Sequence, residues 1–330
     1  MSDFHAAMKQ AKVFALWEGE ARHGAHAIPP QAWPWRVMDP LIDGAIAATG
    51  MDNAERRVLV LNNPLYENTG LYGATINVAV NLQVLMPGER ARVHRHSMSA
   101  LRFMLEGEGV TTIVEGKPCA MLRGDLVLTP AWTWHEHVHA GQGRAVWVDA
   151  LDVPLVRYLR DAQFEPGPSH DVNPLPDDAA FAAAGLAPAH HSLAGAGAHS
   201  PMFRYPWATA RAALDALRPD ADGSRLLRYT NPLNGGPVMP TLDCYLLGLA
   251  AGRDSTERRS NCNTVCVVVE GTGSSRIGEH DVEWGPNDIF TLPNGSWSRH
   301  RASAGGACLF QISDRELFSR MEMLREEVRG

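Results

Sequence analysis

Basic clusters are missing from this sequence, whose formal net charge at pH 7 is −7. There is therefore no electrostatic reason to expect nucleic acid or an anionic membrane as a partner. No stretch reaches the roughly 18 uninterrupted apolar residues of a membrane span, and the N-terminus has no apolar signal segment. These absences predict a cytoplasmic protein whose partners are small molecules.

Cysteine is scarce, and no pair of cysteines has CxxC spacing. An odd number of cysteines without that spacing suggests neither a disulfide framework nor a cysteine zinc site, so buried thiols are expected. The five cysteines are Cys119, Cys244, Cys262, Cys266 and Cys308.

The 330 residues, 45% of them hydrophobic, can form two domains. Residues 1–55 are predicted to be an N-terminal helical segment, because DFHAAMKQAKVFALWEGEAR has apolar residues at helical spacing and a short helix is indicated at LIDGAIAAT. From about residue 57, short β-branched runs alternate with Gly, Pro and Asn, which is typical of an all-β sandwich or barrel.

The β texture occurs twice, in 56–163 and 226–330, separated by a linker over 164–225 with one helix at PWATARAALDALRP. Two blocks of the first region match the second at nearly one spacing, which indicates that one β-barrel unit is used twice. The matches are Gly88, Glu106, Gly107 and Gly109 with Gly252, Glu270, Gly271 and Gly273, 164 residues on (252 minus 88), and Pro130 and Trp134 with Pro293 and Trp297, 163 residues on (293 minus 130).

His94 and His96 have the spacing of a shared metal site. In a strand, side chains at i and i+2 point to the same face, so both can reach one ion. A second segment, HEHVH, begins at His135 and can supply the third ligand. Three histidines on one side of an ion leave other positions open for chemistry. For His94 and His96, the alternative is a pair of exposed strand histidines.

The spacing of these histidines resembles the two motifs of the cupin superfamily. PGERARVHRH fits Gly-x5-His-x-His and GDLVLTPAWTWH fits Gly-x5-Pro-x4-His. By this resemblance the metal ligands are His94, His96 and His135. It also implies an all-β-dominated bicupin fold: two jelly-roll-like β-barrel cupin domains after the N-terminal helical segment.

Longer phrases are similar to the gentisate 1,2-dioxygenase group of bicupins, which includes salicylate and 1-hydroxy-2-naphthoate dioxygenases. They are HRHSMSALRFMLEGEG, GDLVLTPAWTWHEH and VWVDALDVPL. Many cupins carry a glutamate four or five residues after the second histidine, but here those residues are Ala100 and Leu101. The resemblance implies Fe(II) held by three neutral imidazoles, with room for a chelating substrate and O₂; the three histidines alone also suit zinc.

In the second unit the repeat places Arg258, Ser260 and Ser298 at the ligand positions. None of them is a good ferrous ligand, so the second barrel is predicted to be metal-free. His300 lies nearby but makes no site alone.

Arg102 has even spacing from His94 and His96, and its guanidinium can hold a carboxylate by two parallel hydrogen bonds. The resemblance assigns this arginine to the substrate carboxylate, with a surface ion pair as the alternative. His137 matches a family histidine that contacts substrate or oxygen and is a candidate proton shuttle.

Weaker candidates complete the predicted site. Asp149 matches a family aspartate and is expected to orient a neighbouring group. Arg57 is a possible second anion contact, with Arg56 as its competitor, and Trp134 is a possible pocket wall. Other apolar residues are candidates for that wall or plain barrel core: Val80, Leu82, Val84, Met98, Met104 and Trp132.

The predicted function is Fe(II)-dependent cleavage of a 2-hydroxybenzoate by O₂, between the carboxyl-bearing and hydroxyl-bearing carbons. Gentisate is the default substrate. Because WHEHVHAG departs from the WHDHGN typical of gentisate enzymes, salicylate or a 5-substituted halo- or nitrosalicylate is an alternative. Alternatives from other classes are a non-catalytic cupin that binds an aromatic acid and a zinc or nickel cupin isomerase or lyase. The resemblance also implies a homotetramer.

Overall fold

The computed structural model describes residues 3–13, 28–50, 56–167, 177–183 and 197–329. The predicted N-terminal helix is present as α1 (Asp3–Gln10), and its continuation beyond residue 13 lies outside the described residues. A short strand, β1 (Ala32–Trp33), and a helix, α2 (Trp35–Ala48), follow.

Helix α2 begins at Trp35, earlier than the predicted helix at LIDGAIAAT. The backbone N–H of Trp35 donates to the carboxylate of Asp288, 2.6 Å away and distant in sequence. A carboxylate at a helix N-terminus satisfies an otherwise unpaired N–H and interacts favourably with the helix dipole. The start of α2 thus depends on a tertiary contact that local sequence does not reveal.

The first barrel consists of two facing antiparallel sheets. The six-stranded sheet has the order β12-β8-β5-β10-β3-β2, and the five-stranded sheet has the order β11-β4-β9-β6-β7. The strands are β2 (Val58–Leu61), β3 (Ala79–Leu85), β4 (Arg90–His96), β5 (Ala100–Glu106), β6 (Val110–Val114), β7 (Lys117–Met121), β8 (Leu126–Thr129), β9 (His135–His139), β10 (Ala145–Leu151), β11 (Phe164–Pro166) and β12 (Arg204–Tyr205), with helix α3 (Val153–Tyr158) after β10.

The second barrel follows helix α4 (Trp207–Ala216), which agrees with the helix predicted at PWATARAALDALRP. Its strands belong to one nine-stranded sheet that also includes β1. They are β13 (Arg225–Arg228), β14 (Asp243–Leu249), β15 (Glu257–Ser260), β16 (Thr264–Ile277), β17 (His280–Trp284), β18 (Ile289–Leu292), β19 (Trp297–Ser313) and β20 (Glu326–Arg329), with helix α5 (Arg315–Arg320) before β20.

The predicted linker and N-terminal segment both add strands to the barrels. Strands β11 and β12, from the predicted linker 164–225, pair with β4 and β8 of the first barrel. Strand β1, from the segment 1–55, pairs with β18 of the second barrel. The domain limits themselves stay predictions.

The barrels pack back to back through reciprocal contacts. Asp152 accepts hydrogen bonds from the backbone N–H of Ser99, in its own barrel, and from the hydroxyl of Thr241, before β14. In the second barrel, Asp314 makes the matching pair of contacts, to Asn263 and to Asn77 of the first barrel. This exchange is the arrangement expected of two copies related by an approximate two-fold axis.

The apolar core lies where the two barrels meet. The rings of Phe103 in β5 and Phe310 in β19 stack with centroids 4.1 Å apart and an interplanar angle of 8°. Val80 and Leu82 of β3 belong to the same buried cluster. Because side chains alternate along a strand, their neighbours Asn81 and Gln83 point the other way, into the first barrel.

Candidate metal centre

Three histidines meet inside the first barrel. His94 and His96 occupy alternate positions at the end of β4, and His135 begins β9 directly opposite His94. One nitrogen from each imidazole lies within 4.8 Å of the others. The strand register thus brings the predicted ligands together.

Each histidine of the cluster is oriented by a short hydrogen bond to a backbone carbonyl. In each ring Nδ1 faces the carbonyl, so Nε2 is left to face the shared space. The contacts are His94 to Arg92 at 2.8 Å, His96 to Met98 at 2.7 Å and His135 to Thr133 at 2.9 Å. Such bonds set the tautomer and raise the basicity of a metal-ligating imidazole.

The free nitrogens are those of a metal site. Nε2 of His96 and Nε2 of His135 are buried without a hydrogen-bond partner among the described residues. Leaving a buried polar atom unpaired is costly, and a bound cation would remove that cost. The three residues therefore fit a divalent transition metal that accepts imidazole ligands.

Burial keeps these imidazoles neutral. Burial first, together with the nearby cations of Arg56 and Arg102, lowers the pKa of His94 to about 3 and that of His96 to about 4. Burial also lowers the pKa of His135 well below its ordinary value. A neutral imidazole is the form that binds a metal, so the site is in its ligating state at neutral pH.

Arg102 lies on β5, next to Asp149 on β10. Its Nε is 3.1 Å from the Asp149 carboxylate, and its guanidinium also donates to the hydroxyl of Thr129. The indole of Trp147 donates to the same carboxylate at 3.2 Å. Burial lowers the pKa of Arg102 and raises that of Asp149, and each charge opposes the shift of the other. The guanidinium of Arg102 therefore lies inside the barrel, and its contact with Asp149 fixes its orientation.

His137 points into the barrel from the same face of β9 as His135, with ring centroids 6.1 Å apart. The Thr112 hydroxyl lies 2.8 Å from its Nδ1, while its Nε2 is buried and unpartnered within the described chain. His137 therefore presents one nitrogen to the interior in a defined orientation.

Arg57 does not reach this site, and Arg56 does. Nε of Arg57 donates to the carbonyl of Thr49 at 2.8 Å, and its guanidinium pairs with Glu89. The Arg56 guanidinium instead lies 3.1 Å from Nε2 of His94. Adjacent residues of an extended segment point in opposite directions, so only one of the two can face the interior.

Trp134 lies on the outer surface, contrary to its prediction as a pocket wall. Its ring is stacked under the guanidinium of Arg95, 4.4 Å from the ring centroid. Trp134 precedes His135, and Arg95 lies between His94 and His96, so alternation turns both away from the ligands.

Sequence reasoning missed two amides. Asn81 and Gln83 of β3 lie opposite Asp149 and Trp147 of β10 in the strand register and share their interior face. The Asn81 amide oxygen and the Gln83 amide nitrogen are buried, and neither has a hydrogen-bond partner among the described residues. The signal was available, because two polar residues alternate with valine and leucine in AVNLQVL.

The second barrel has the predicted substitutions in the equivalent places. Arg258 lies opposite Ser298, as His94 lies opposite His135. Within the described part of the chain, His94, His96 and His135 form the one cluster of at least three potential ligands close enough to share an ion. Nor do the described residues include a helix long and apolar enough to cross a membrane.

The fold and the histidine cluster together define a metal-binding bicupin. A family model described as a cupin domain matches residues 81–153. The chain is 36% identical to gentisate 1,2-dioxygenase 1 of Aquipseudomonas alcaligenes, over 90% of this chain and 86% of that protein. It is 35% identical to 5-aminosalicylate 1,2-dioxygenase of a Comamonas species, over 98% of this chain and 89% of that protein.

A solved structure agrees with these relatives. Salicylate 1,2-dioxygenase from Pseudoaminobacter salicylatoxidans, with gentisate adducts, superposes with a TM-score of 0.89 at 29% identity, covering 99% of this chain and 93% of that one. The chain belongs to the family of gentisate and salicylate 1,2-dioxygenases, which are ring-cleaving oxidoreductases. That membership decides against the non-catalytic aromatic-acid binder as its class.

Proposed function

We propose that the protein is an Fe(II)-dependent dioxygenase that opens a 2-hydroxybenzoate between its carboxyl-bearing and hydroxyl-bearing carbons and incorporates both atoms of O₂. The observation that carries this proposal is the pairing of three neutral, oriented imidazoles with a buried guanidinium in one barrel. The imidazoles supply metal ligands, and the guanidinium supplies a partner for the substrate carboxylate.

His94, His96 and His135 would hold the iron through Nε2. When bound, Fe(II) supplies the redox chemistry by which O₂ reacts with the aromatic ring. No carboxylate belongs to the ligand cluster, so the protein contributes no negative charge to the metal. An anionic chelating substrate is therefore favoured over a neutral one.

Arg102 would bind the substrate carboxylate. Its side chain is 3% exposed and held by Asp149 and Thr129, so little conformational entropy remains to be lost on binding. Burial also strengthens its attraction for an anion, because water does not screen the charge. Arg56, beside His94, adds a second cation at the same side of the pocket.

His137 would bind the phenolic side of the substrate through Nε2. Its Nδ1 is engaged by Thr112, so the ring cannot turn away without losing that hydrogen bond. Trp147 lies against it, with centroids 5.3 Å apart, and limits its movement. The imidazole is thereby positioned to hold the phenol proton at Nε2 as the substrate binds.

The unpartnered amides of Asn81 and Gln83 favour a substrate with a polar group on the ring. A 5-hydroxyl or 5-amino group can donate to the Asn81 oxygen, whereas salicylate has only a C–H there and leaves the oxygen unpaired. A site with an unmatched buried polar group rejects the ligand that lacks its partner. We therefore place gentisate and 5-aminosalicylate ahead of salicylate, in agreement with the named activities of two relatives.

Oxygen uptake by the iron-loaded enzyme tests this proposal. With gentisate, 5-aminosalicylate and salicylate compared, we expect kcat/KM for one of the 5-substituted acids to exceed that for salicylate at least about tenfold. Asn81→Leu should remove that preference, while Leu82→Met, on the opposite face of β3, should retain it. No oxygen uptake with any of the three acids would refute the dioxygenase proposal, and an unchanged preference in Asn81→Leu would refute the role of the amide.

A cytoplasmic homotetramer stays a prediction. Size-exclusion chromatography with light scattering gives the oligomeric state directly, and a mass other than that of four chains would contradict it.

A further inference from the structure

The second barrel contains a cavity that the proposed reaction does not use. Its volume is about 640 Å³, which lies within the range typical of small-molecule sites. The cavity is lined by residues of the nine-stranded sheet, including Leu247, Leu292 and Gln311. Strands β15 and β20 border it. The cavity occupies the place in this barrel that the histidine cluster occupies in the first.

Arg258 brings a guanidinium to this cavity, near the Glu326 carboxylate, whose pKa is lowered by the Arg315 hydrogen bond and also by the charge of Arg258. Arg258 takes the position of His94, and within the described residues its guanidinium makes no hydrogen bond or ion pair. The bordering carboxylates have their own arginines: Glu326 binds Arg315 at 2.8 and 2.9 Å, and Glu327 binds Arg259 at 2.6 and 2.7 Å. Arg228 binds Asp243 and Glu316. Among the described arginines that line the cavity, Arg258 is therefore the one whose guanidinium has no hydrogen-bonded carboxylate.

His300 adds a directed hydrogen-bond donor. The indole N–H of Trp284 donates to the Ser275 hydroxyl at 2.8 Å, and that hydroxyl lies 2.7 Å from Nδ1 of His300. A hydroxyl that accepts from Trp284 donates its own proton to Nδ1, which leaves Nε2 carrying the ring proton. Burial lowers the pKa of His300 to about 4, so the imidazole is neutral and its Nε2–H is a donor.

The rest of the lining narrows the class of ligand. Acidic side chains also border the cavity, and Asp222 accepts hydrogen bonds from Ser224 and Thr256. One free guanidinium beside apolar side chains such as Leu247 and Val328 suits a monoanion with an apolar body. A phosphate dianion would need more than one free cation.

We propose that the second barrel is a binding site for a small organic monocarboxylate, held by the guanidinium of Arg258 and the Nε2–H of His300. The site is separate from the metal centre and does not depend on the reaction proposed for it. The barrel without the three histidines thereby has a carboxylate-binding side chain at the position equivalent to His94.

Equilibrium dialysis with 4-fluorobenzoate tests the site in the full-length, iron-loaded protein. This acid has no 2-hydroxyl group and is not a ring-cleavage substrate of the proposed kind, so it remains intact during the measurement. We expect Arg258→Leu to remove one bound equivalent per chain, by weakening that site at least about tenfold. Arg276→Leu, at an exposed arginine of the same barrel outside the cavity, should bind as the unaltered protein does.

Two further measurements test which class of ligand the site binds. Arg258→Lys should weaken binding less than Arg258→Leu, because it keeps the charge and loses the paired N–H groups. Inorganic phosphate at equal concentration should leave the Arg258-dependent equivalent in place, and its displacement would overturn the monocarboxylate class. Equal stoichiometry in Arg258→Leu and Arg276→Leu, with both variants folded by circular dichroism, would overturn the site itself.

Discussion

The two barrels differ at the positions proposed for the chemistry and agree at several that build the fold. His94 opposite His135 becomes Arg258 opposite Ser298. The buried pair of Arg102 and Asp149 is replaced by a neutral contact, in which the Gln311 amide donates to the Cys266 sulfur at 3.7 Å. The same strand register thus supports a buried ion pair beside three histidines in one barrel and a neutral contact at the equivalent position in the other.

Other pairs are retained in both barrels. Thr112 beside His137 has the counterpart Ser275 beside His300, at 2.8 and 2.7 Å. The inter-barrel aspartates, Asp152 and Asp314, make the same set of contacts. These retained pairs satisfy buried polar groups that any copy of the unit must bury, whereas the metal ligands are dispensable to folding.

The largest expected difference between the barrels is catalytic. His96→Ala should lower kcat by at least about a thousandfold, because it removes a metal ligand and leaves two. Oxygen uptake after anaerobic iron loading measures it. Arg95→Ala, at the neighbouring residue on the opposite face of β4, should keep activity within about threefold. Comparable losses in both variants would mean that strand integrity, not ligation, explains the result.

Arg102 and Asp149 can be replaced by cysteine and glutamine, the residues at the equivalent positions of the second barrel. This double replacement should abolish substrate binding without unfolding the protein. Arg102→Cys alone leaves Asp149 as a buried, unpaired charge and should cost about 3–5 kcal/mol of unfolding free energy. Adding Asp149→Gln should recover most of that stability, while kcat/KM stays at least about a hundredfold low. Urea unfolding and oxygen uptake measure the two effects, and a double variant that regains activity would contradict the carboxylate role of Arg102.

The inter-barrel contacts should make stability depend on pH. Burial raises the pKa of Asp152 to about 6 from an ordinary 3.8, and it also raises the pKa of Asp314. The folded protein keeps the Asp152 proton to a higher pH than the unfolded chain, so the contribution of Asp152 to stability is complete below about pH 3.8 and is lost as the pH rises through about 6. The fall should be on the order of 3 kcal/mol at most.

Asp152→Asn should flatten this pH dependence in urea unfolding between about pH 4 and 7. Asp281→Asn, on the exposed surface of the second barrel, is the matched control and should leave the slope unchanged. Equal slopes in Asp152→Asn and the unaltered protein would contradict the burial argument.

The smallest predicted effect is shared by both barrels. Thr112→Val and Ser275→Ala each leave a buried imidazole nitrogen without its hydroxyl partner and should each cost about 1–2 kcal/mol of unfolding free energy. Chemical denaturation measures both. A loss of unfolding free energy in only one of the two variants would show that the pairs Thr112–His137 and Ser275–His300 are not structurally equivalent.

The duplicated barrel and the cluster of three histidines could be predicted because they depend on local patterns. The HxH spacing gives the face of a strand, and Gly and Pro at matched spacing indicate the repeat. The second barrel's replacement residues followed from the same offset, and the register of Arg258 with Ser298 agrees with it.

The rest of the site depends on which way each side chain faces in three dimensions. Arg57 and Trp134 were each one position away from an inward-facing residue, and a shift by one reverses the face. The hydrogen bonds between Trp35 and Asp288, at the start of α2, and between Thr241 and Asp152 each join residues that are distant in sequence. No local pattern reports such pairings.

The most direct test of the comparison is the number of iron atoms bound per chain after anaerobic loading and removal of excess metal. We predict one per chain in the unaltered protein and none when His94, His96 and His135 are all replaced by alanine. Two per chain, or one that survives this triple replacement, would contradict the claim that only the first barrel is a reaction site.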